Sequence, residues 1–424
     1  MVGTVSVPDD GLALTLGLVG FSATKLWNRS LWYSKECWDK TGMIPSYAEM
    51  DKYLKSVSNR WYRSLHAQSS QAVLEELWQS YKSWFALRKK GDMKARPPGF
   101  RRKDTLSTIT FKKDSFRWDG ETQTLRVGVP ESVFGYKYLY LSLTLPPGTT
   151  IFPEEIQVAR LTYVKGIWKI HLTCDVRTPE PIANGHTMSI DLGQAVLAAT
   201  ACTDGKTAIW SGGELSGLER YFEKEKAKCT DSKSKKCRRT NSKRSRQRNH
   251  YLHTITKSII TDAEARKIST ILVGDLTDIR ICKNGDAKNW GDAGSQALHK
   301  WPFKKITNLL SYKAKMKGIT VIQVSERYTS QDCSCCGTRR KASRVTRGEY
   351  RCPKCGSVIH ADINGAVNML KRYLPEETFS WSSGCLAQPV VNRFAWRDTP
   401  PLVHKPGTWN ESGSASTNNP KALL

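Results

Sequence analysis

Apolar side chains in the first part of the chain recur at three- and four-residue steps, the spacing of one helix face. The positions that follow this spacing include Trp61, Leu65, Leu74, Leu77, Tyr81 and Trp84. A turn at Gly42 to Pro45 divides the region. The pattern therefore predicts a small helical bundle over residues 21–93, preceded by one short strand in residues 1–20.

The pattern changes to a period of two between residues 105 and 180, which is typical of half-buried strands. The alternating apolar positions include Ile109, Phe111, Leu125, Val127, Val129, Leu139, Leu141 and Leu143. Residues 161–176 fit a hairpin that turns at Lys165-Gly166. Several short antiparallel strands predict a compact β-barrel over residues 94–184. The linker before it carries a basic cluster, Arg101, Arg102 and Lys103, which either contacts nucleic acid or is a solvated surface.

Apolar strands separated by helices follow residue 185, so the fold class is multidomain, with α+β and α/β parts. The first of these strands, residues 188–193, carries a single acid, Asp191, and further strands cover residues 270–275 and 319–324. An amphipathic helix is expected around Phe303 to Lys317. The sequence after Pro375 is polar and rich in Pro, Gly and Ser, and we expect residues 379–424 to be a disordered tail.

A net charge of +27 over 424 residues favours a polyanionic partner, and nucleic acid is the first candidate. Thirteen Lys and Arg residues lie between residues 220 and 248. We expect the centre of this run, Lys233 to Arg246, to be a mobile loop between helices, with phosphate contacts at Arg238 and Arg239. No apolar run approaches the length of a membrane span. We therefore expect a cytoplasmic protein without a membrane partner.

Two Cys-x-x-Cys knuckles have the spacing of a tetrahedral zinc site. We assign Cys333, Cys336, Cys352 and Cys355 as the ligands and expect Cys335 to face away. The alternative is a disulfide pair or free thiols. Four ligands leave no open position, so this zinc would hold the fold and do no chemistry. A basic loop joins the knuckles, and its Arg339, Arg340 and Arg344 are candidate nucleic-acid contacts.

The second knuckle is followed by His360-Ala-Asp362-Ile-Asn364-Gly-Ala366-Val-Asn368. A zinc ribbon that runs directly into Asp-x-Asn-x-Ala resembles the third RuvC motif of TnpB, the transposon-encoded RNA-guided nuclease, and of the related miniature type V CRISPR effectors. Asp191 is the second point of resemblance, because an apolar strand rarely buries an unpaired carboxylate. The specific motifs are confined to residues 188–193 and 325–368, although the likeness extends over most of residues 21–372.

The resemblance implies a domain order. Residues 1–20 would be the first strand of a wedge-type barrel, 21–93 a helical recognition domain inserted in it, and 94–184 the rest of the barrel. Residues 185–330 and 357–378 would form an RNase H-like RuvC domain, with a zinc-ribbon insert at 331–356. In that fold the first strand, the fourth strand and the last helix each supply an acid. Asp191 and Asp362 match the first and the last.

The middle acid departs from the family pattern, which has Glu where this chain has Gly274. The site is broken, or Asp275 serves, or Glu326 supplies the carboxylate. Asp275 should point away, because side chains alternate along a strand. Glu326 follows the strand expected next to residues 270–275, and its longer side chain can reach the space that glycine leaves. We therefore prefer Glu326, with Asp191 and Asp362, as the catalytic ligands of Mg²⁺, two ions being expected.

Three functions remain open from the sequence. The first is an RNA-guided DNA endonuclease with a guide RNA, double-stranded target DNA and a displaced single strand as partners. The second is a nuclease-inactive RNA-guided DNA-binding repressor, which the glycine at 274 favours. The third is a guide-free resolvase or transposase, which the long region before the nuclease domain argues against. The resemblance implies a prokaryotic, nucleoid-associated protein, and a monomer is favoured.

Overall fold

The structure is a computed structural model that describes residues 2–7, 9–145, 152–183, 185–276, 301–375, 381, 383–394 and 403–404. The chain forms two compact units, Met1–Val176 and Arg177–Leu424. Residues 177–183, which the sequence assigned to the barrel, belong to the second unit, where the backbone N–H of Ile182 donates to the carbonyl of Gly318 at 2.9 Å. Helices in the described part of the chain include none that is long and apolar enough to span a membrane.

The first unit contains a seven-stranded antiparallel sheet. Its strands are β1 (Val2–Val5), β2 (Ile109–Lys112), β3 (Phe116–Asp119), β4 (Thr124–Gly128), β5 (Tyr138–Thr144), β6 (Ile156–Val164) and β7 (Ile167–Cys174). The order is β2-β6-β7-β1-β5-β4-β3, so the short first strand lies at the centre. The predicted hairpin is confirmed: β6 and β7 pair along their length around Lys165 and Gly166, which both have positive φ.

Four helices lie between β1 and β2 in the sequence, with one short helix between β4 and β5. They are α1 (Asp10–Thr41), α2 (Tyr47–Ser56), α3 (Arg60–Arg63), α4 (Ala67–Lys89) and α5 (Glu131–Phe134). The first helix begins at Asp10, well before the predicted start of the bundle near residue 21. Asp9 explains this start, because its side chain accepts from the backbone N–H of Leu12 at 2.7 Å and caps the helix.

One apolar core joins the helices of the first unit to one face of its sheet. Leu26 and Leu74 of the helices are fully buried, as are Leu125 and Ile170 of the strands. The predicted alternation is confirmed on β5, where buried Leu141 alternates with exposed polar and aromatic residues. One face of this strand therefore packs on the core and the other faces solvent.

The second unit is built on another seven-stranded sheet, with a separate two-stranded hairpin. The strands of the large sheet are β8 (His186–Leu192), β9 (Val196–Cys202), β10 (Thr207–Ser211), β11 (Ile268–Asp275), β12 (Thr320–Ser325), β15 (Val390–Asn392) and β16 (Val403–His404). The hairpin consists of β13 (Glu349–Arg351) and β14 (Val358–His360). The large sheet has the order β12-β11-β8-β9-β10-β15-β16. Strands β8, β11 and β12 run parallel, and β9 is antiparallel to β8.

Helices cover both faces of this sheet. They are α6 (Gly213–Ala227), α7 (Lys235–Ala265), α8 (Phe303–Lys315), α9 (Ala361–Tyr373) and α10 (Ser383–Ala387). Apolar residues of α6, α7 and α8 share one buried cluster with Ile190 and Val273 of the sheet. Apolar residues of α9 share another cluster with Ala199 and Ala201 of β9 and with cysteines of the ribbon. The strands therefore lie in a middle layer.

The predicted mobile loop at Lys233 to Arg246 is wrong for most of its length, because α7 begins at Lys235. Ser234 caps the helix by accepting from the backbone N–H of Cys237 at 3.2 Å. Arg244 then donates to the carboxylate of Glu219 on α6, with 2.7 Å between Nε and Oε2. Lys and Arg have good intrinsic helix propensity, and pairing with α6 offsets part of their mutual repulsion.

The predicted disordered tail is also wrong for residues 383–394, which include α10 and β15. Strand β15 pairs in parallel with β10, and Phe394 packs edge-on against Tyr251 with 5.0 Å between the ring centroids. Two valines and an asparagine in a polar region are enough to extend an existing sheet edge. Strand β16, residues 403–404, pairs with β15. The other residues of the predicted tail lie outside the described residues, except for Trp381.

Candidate active site and zinc ribbon

The four predicted zinc ligands converge at the turn that joins β13 to β14. All four Sγ atoms lie within 4.8 Å of one another. The Cys333–Cys355 and Cys336–Cys352 Sγ pairs are 3.7 and 3.6 Å apart. Four thiolates about 2.3 Å from a tetrahedral zinc ion would be about 3.8 Å apart, so the set fits Zn²⁺ and excludes a disulfide.

The backbone and neighbouring hydroxyls prepare two of these thiols, Cys336 and Cys355, to bind a cation, whereas burial raises the pKa of Cys333. Gly337 and Gly356 follow the two knuckles and have φ of 73° and 69°, a conformation that allows each tight turn. Hydrogen bonds from Thr338 lower the pKa of Cys336 to about 6. Hydrogen bonds from Ser357 lower the pKa of Cys355. Deprotonated sulfur is the form that ligates zinc.

Asp191 lies on β8, an interior strand of the large sheet between β11 and β9, and α9 passes close to its carboxylate. A β-carbon added to Gly365 would lie only 2.6 Å from Oδ2 of Asp191. Glycine at this position therefore lets the helix pack against the charged strand. Gly365 is part of the motif that follows the second knuckle, and the motif alone predicts no role for it. Its signal was a glycine inside an otherwise good helix, where it costs about 1 kcal/mol relative to alanine.

Glu326 fills the space that the glycine at 274 leaves. Strands β11 and β12 are parallel neighbours, with Gly274 opposite Val324 and Asp275 opposite Ser325, so the predicted adjacency is confirmed. A β-carbon built on Gly274 would overlap the carboxylate of Glu326. Asp275 is exposed, whereas Gly274 is buried.

Asp362 lies in the first turn of α9, and a ribbon arginine binds it. Nη2 of Arg344 donates to Oδ1 of Asp362 at 2.8 Å and to the carbonyl of Arg347 at 2.9 Å. Arg344 is predicted from the sequence as a nucleic-acid contact, and the sequence does not reveal this ion pair. Spacing alone could not reveal it, because Arg344 lies in an irregular loop between the two knuckles.

The carboxylates of Asp191, Glu326 and Asp362 are close enough to repel one another. Burial, with repulsion from Asp362, raises the pKa of Asp191 to about 7. Burial, with repulsion from Asp191 and Asp275, raises the pKa of Glu326 to about 8. The three acids are less tightly gathered than the cysteines, which form the one set of three or more possible metal ligands within 4.8 Å in the described part of the chain.

The other predicted nucleic-acid contacts are spread over both units. In the first unit Arg101 stacks on Trp27, with its Cζ 3.7 Å from the ring centroid, and pairs with Glu76 at 2.7 Å. Arg102 and Lys103 beside it are exposed. In the second unit Arg238 and Arg239 are exposed on α7. Arg340 is exposed on the ribbon, where Arg339 binds the carboxylate of Asp332.

Comparison with known proteins matches both halves of this site. A family described as "Probable transposase" matches residues 171–280, which include Asp191 and Gly274. A family described as "Cas12f1-like, TNB domain" matches residues 303–369, which include Glu326, the four cysteines and Asp362. The TnpB-like protein ORF457 of Acidianus two-tailed virus is 24% identical over 82% of this chain and 81% of its own length.

The chain resembles the TnpB family in both matched regions. The CRISPR-associated endodeoxyribonuclease Cas12f1 of Sulfoacidibacillus thermotolerans is 27% identical to this chain over 48% of its length, and the match spans half of that relative's length. A cryo-EM structure of a Cas12f1–sgRNA–target DNA complex has the same fold over 84% of the chain and 82% of its own, with a TM-score of 0.51 at 16% identity.

Zinc should be lost from this chain when one of the four clustered thiols is removed. We expect Cys352→Ala to lower the zinc content of the purified protein from a single equivalent to near zero and to unfold the ribbon, because three thiolates leave the site open. Metal analysis and thermal melting would measure both effects. Cys335→Ala is the matched control, since Cys335 is exposed and outside the cluster. Equal zinc loss in both variants would contradict the ligand assignment.

Gly274→Ala should destabilise the second unit by about 1–3 kcal/mol, the usual cost of overpacking, because the methyl group overlaps the Glu326 carboxylate. Adding Glu326→Ala should remove most of this cost, which a double-mutant cycle in urea would measure. Gly217→Ala on α6 is the control: no atom lies within 4 Å of its added carbon, so the stability should stay unchanged or rise. Additive effects at 274 and 326 would argue against the contact.

Raising the pH should destabilise the metal-free chain. The pKa values of Asp191 and Glu326, about 7 and about 8, lie above the values of about 3.9 and 4.3 expected in the unfolded chain. Between these limits the folded chain holds protons that the unfolded chain has released, so the free energy of unfolding falls as pH rises. We expect Tm to drop by several degrees between about pH 5 and pH 8, and the drop to shrink in Asp191→Asn/Glu326→Gln. An equal drop in that double variant would contradict the assignment.

Proposed function

We propose that this protein is an RNA-guided DNA endonuclease whose Asp191, Glu326 and Asp362 bind divalent metal for phosphodiester hydrolysis. The observation that carries the proposal is the position of the Glu326 carboxylate. Its carboxylate occupies the space left by Gly274 and repels Asp191, and no donor in the described part of the chain contacts its buried Oε1. A buried carboxylate oxygen without a partner is costly, and a metal ion would satisfy it.

The acid cluster fits Mg²⁺ rather than a softer metal. Its donors are carboxylate oxygens, which suit a hard cation that keeps several water molecules. Two ions about 3.5–4 Å apart do not require their ligands to share one point, so the looser spacing of the acids is compatible with such a pair. Bound metal would stabilise the attacking and leaving oxygens of the phosphodiester. The chain's own residues hold the three carboxylates in place, on β8, after β12 and on α9.

The strand arrangement supports the RNase H-like assignment of the second unit. Counted along the chain, β8, β9, β10, β11 and β12 are its first five strands, and their spatial order is fifth, fourth, first, second, third. The first strand carries Asp191, and the last acid lies on α9, as in that fold. Glu326 follows the fifth strand instead of lying on the fourth, so the middle acid has moved by one strand.

A basic and aromatic row on the first unit supports a nucleic-acid partner and the wedge-barrel assignment. Arg117, Arg126 and Tyr140 lie in register across β3, β4 and β5 on the face opposite the core. Arg126 also stacks over Tyr138, with its Cζ 4.3 Å from the ring centroid. Stacking rings beside phosphate-binding cations are typical of surfaces that bind single-stranded nucleic acid. We propose guide RNA and target DNA as the ligands of this protein.

A nuclease-inactive DNA-binding repressor is the second candidate, because the position of the usual middle acid is glycine and Arg344 neutralises Asp362. The packing of Glu326 into that position favours the endonuclease. A broken site would have no reason to bury an additional carboxyl group beside Asp191.

Asp191→Ala and Asp362→Ala should each abolish Mg²⁺-dependent cleavage of target plasmid by the protein purified with its co-expressed guide RNA. Binding of the target should persist, because neither substitution removes a basic side chain. Glu326→Gln should give the same loss, whereas Asp275→Asn should keep appreciable activity. Gel analysis of cleavage and filter binding of labelled target would separate the two effects.

The proposed relocation of the middle acid from position 274 to position 326 can also be tested by moving the acid back. Gly274→Glu/Glu326→Ala would return a carboxylate to nearly the same volume from the neighbouring strand and should recover part of the activity lost in Glu326→Ala. Normal cleavage by Glu326→Gln would overturn the assignment of the third acid. Absence of cleavage by the wild-type complex, with intact target binding, would favour the repressor.

A further inference from the structure

Two buried asparagines on α9 face away from Asp362. They form hydrogen bonds with residues 329–334, the segment that leads from Glu326 into the ribbon. Asn364 and Asn368 are spaced four residues apart and therefore lie on the same face of the helix. Their side chains are 0% and 6% exposed. The motif that contains them marks the family resemblance, but the three-acid site uses neither asparagine.

Both carboxamides donate to the same two backbone carbonyls. Nδ2 of Asn368 lies 2.8 Å from the carbonyl oxygen of Thr329 and 2.6 Å from that of Asp332. Nδ2 of Asn364 lies 3.4 and 2.8 Å from the same two oxygens. Oδ1 of Asn364 accepts from the backbone N–H of Ser334 at 2.9 Å. These bonds fix the path of the backbone from residue 329 to residue 334.

Each end of this segment is joined to one candidate metal ligand, Glu326 at one end and Cys333 at the other. Toward the acid site, Thr329 donates to the carbonyl of Glu326 through its backbone N–H at 3.2 Å and its hydroxyl at 2.9 Å. Toward the ribbon, Ser334 follows the ligand Cys333, and Lys371 on the next turn of α9 donates to the Ser334 carbonyl at 2.6 Å. The segment is therefore a short rigid connection between Glu326 and the first zinc knuckle.

We infer that Asn364 and Asn368 are positioning residues that couple the zinc knuckle to Glu326, so that an intact ribbon is needed to hold Glu326 in its metal-binding position. The inference rests on the proposed metal site. One side of α9 carries Asp362 and Gly365, and the two asparagines on an adjoining side hold the segment that supplies the third acid. Loss of outer-shell partners of metal ligands typically weakens metal binding by about 10–100-fold.

The test measures Mn²⁺ binding to the full-length, zinc-loaded protein by calorimetry, with Mn²⁺ as the only added ion. Asn364→Leu and Asn368→Leu remove the amide donors without adding charge. We expect each to weaken Mn²⁺ binding about tenfold or more and to speed amide exchange in residues 326–334. Lys371→Met, which removes one bond from the same segment, should give a smaller effect in the same direction and serves if the leucine variants fold poorly.

Controls separate positioning from general destabilisation. Thr307→Val on α8 removes another buried hydrogen bond of the second unit, at 3.2 Å to the Phe303 carbonyl, and should lower Tm without changing Mn²⁺ affinity. Removing zinc from the wild type with a thiol-directed reagent and chelator should weaken Mn²⁺ binding as much as Asn368→Leu does. Zinc removal from Asn368→Leu should then add little.

Two results would overturn the inference, and they differ from failure of the proposed function. Wild-type Mn²⁺ affinity in folded Asn364→Leu and Asn368→Leu would make both asparagines purely structural. Unchanged affinity after zinc removal from the wild type would break the link to the ribbon. If the metal site itself is wrong, Asp191→Asn will bind Mn²⁺ as the wild type does. If the site is right, Asp191→Asn should lose Mn²⁺ binding whatever the asparagines do.

Discussion

The second unit depends on holding three carboxylates near one another with little solvent around them. Water would normally stabilise each charge, and burial removes that stabilisation while bringing the charges closer. Three features of the chain make this arrangement of carboxylates possible. Gly365 lets α9 pack against Asp191, Gly274 makes room for Glu326, and Arg344 neutralises Asp362. Each of these features is unfavourable or neutral in an ordinary core.

The ribbon contributes to this arrangement from outside the sheet. Its four thiols fix the fold of an irregular stretch with little apolar core of its own, and that stretch supplies both Arg344 and the anchored path to Glu326. The ribbon offers soft sulfur ligands, and the acid site offers hard oxygen ligands. One helix contacts both sets. The helix α9 is the element shared by both.

Sequence patterns predicted the parts of this molecule that depend on local spacing. The Cys-x-x-Cys pairs, the β6–β7 hairpin and the adjacency of the strands around Gly274 follow from ligand spacing, turn chemistry and alternation. The length of α7 was missed because its stability comes from contacts with Glu219 on α6, which a window of sequence cannot contain. The early start of α1 depends on a single cap at Asp9. Arg344 reaches Asp362 through tertiary folding across 18 residues.

Strand β15 has a consequence for how the sheet ends. Without it, β10 would expose a row of unpaired N–H and C=O groups, the kind of edge that recruits strands from other molecules. By pairing with β10, β15 therefore protects the edge of this strand from self-association and also stabilises the sheet. Shortening the polypeptide just after α9 would keep all three acids and all four zinc ligands. It would also leave the edge of β10 free to pair with strands of other molecules.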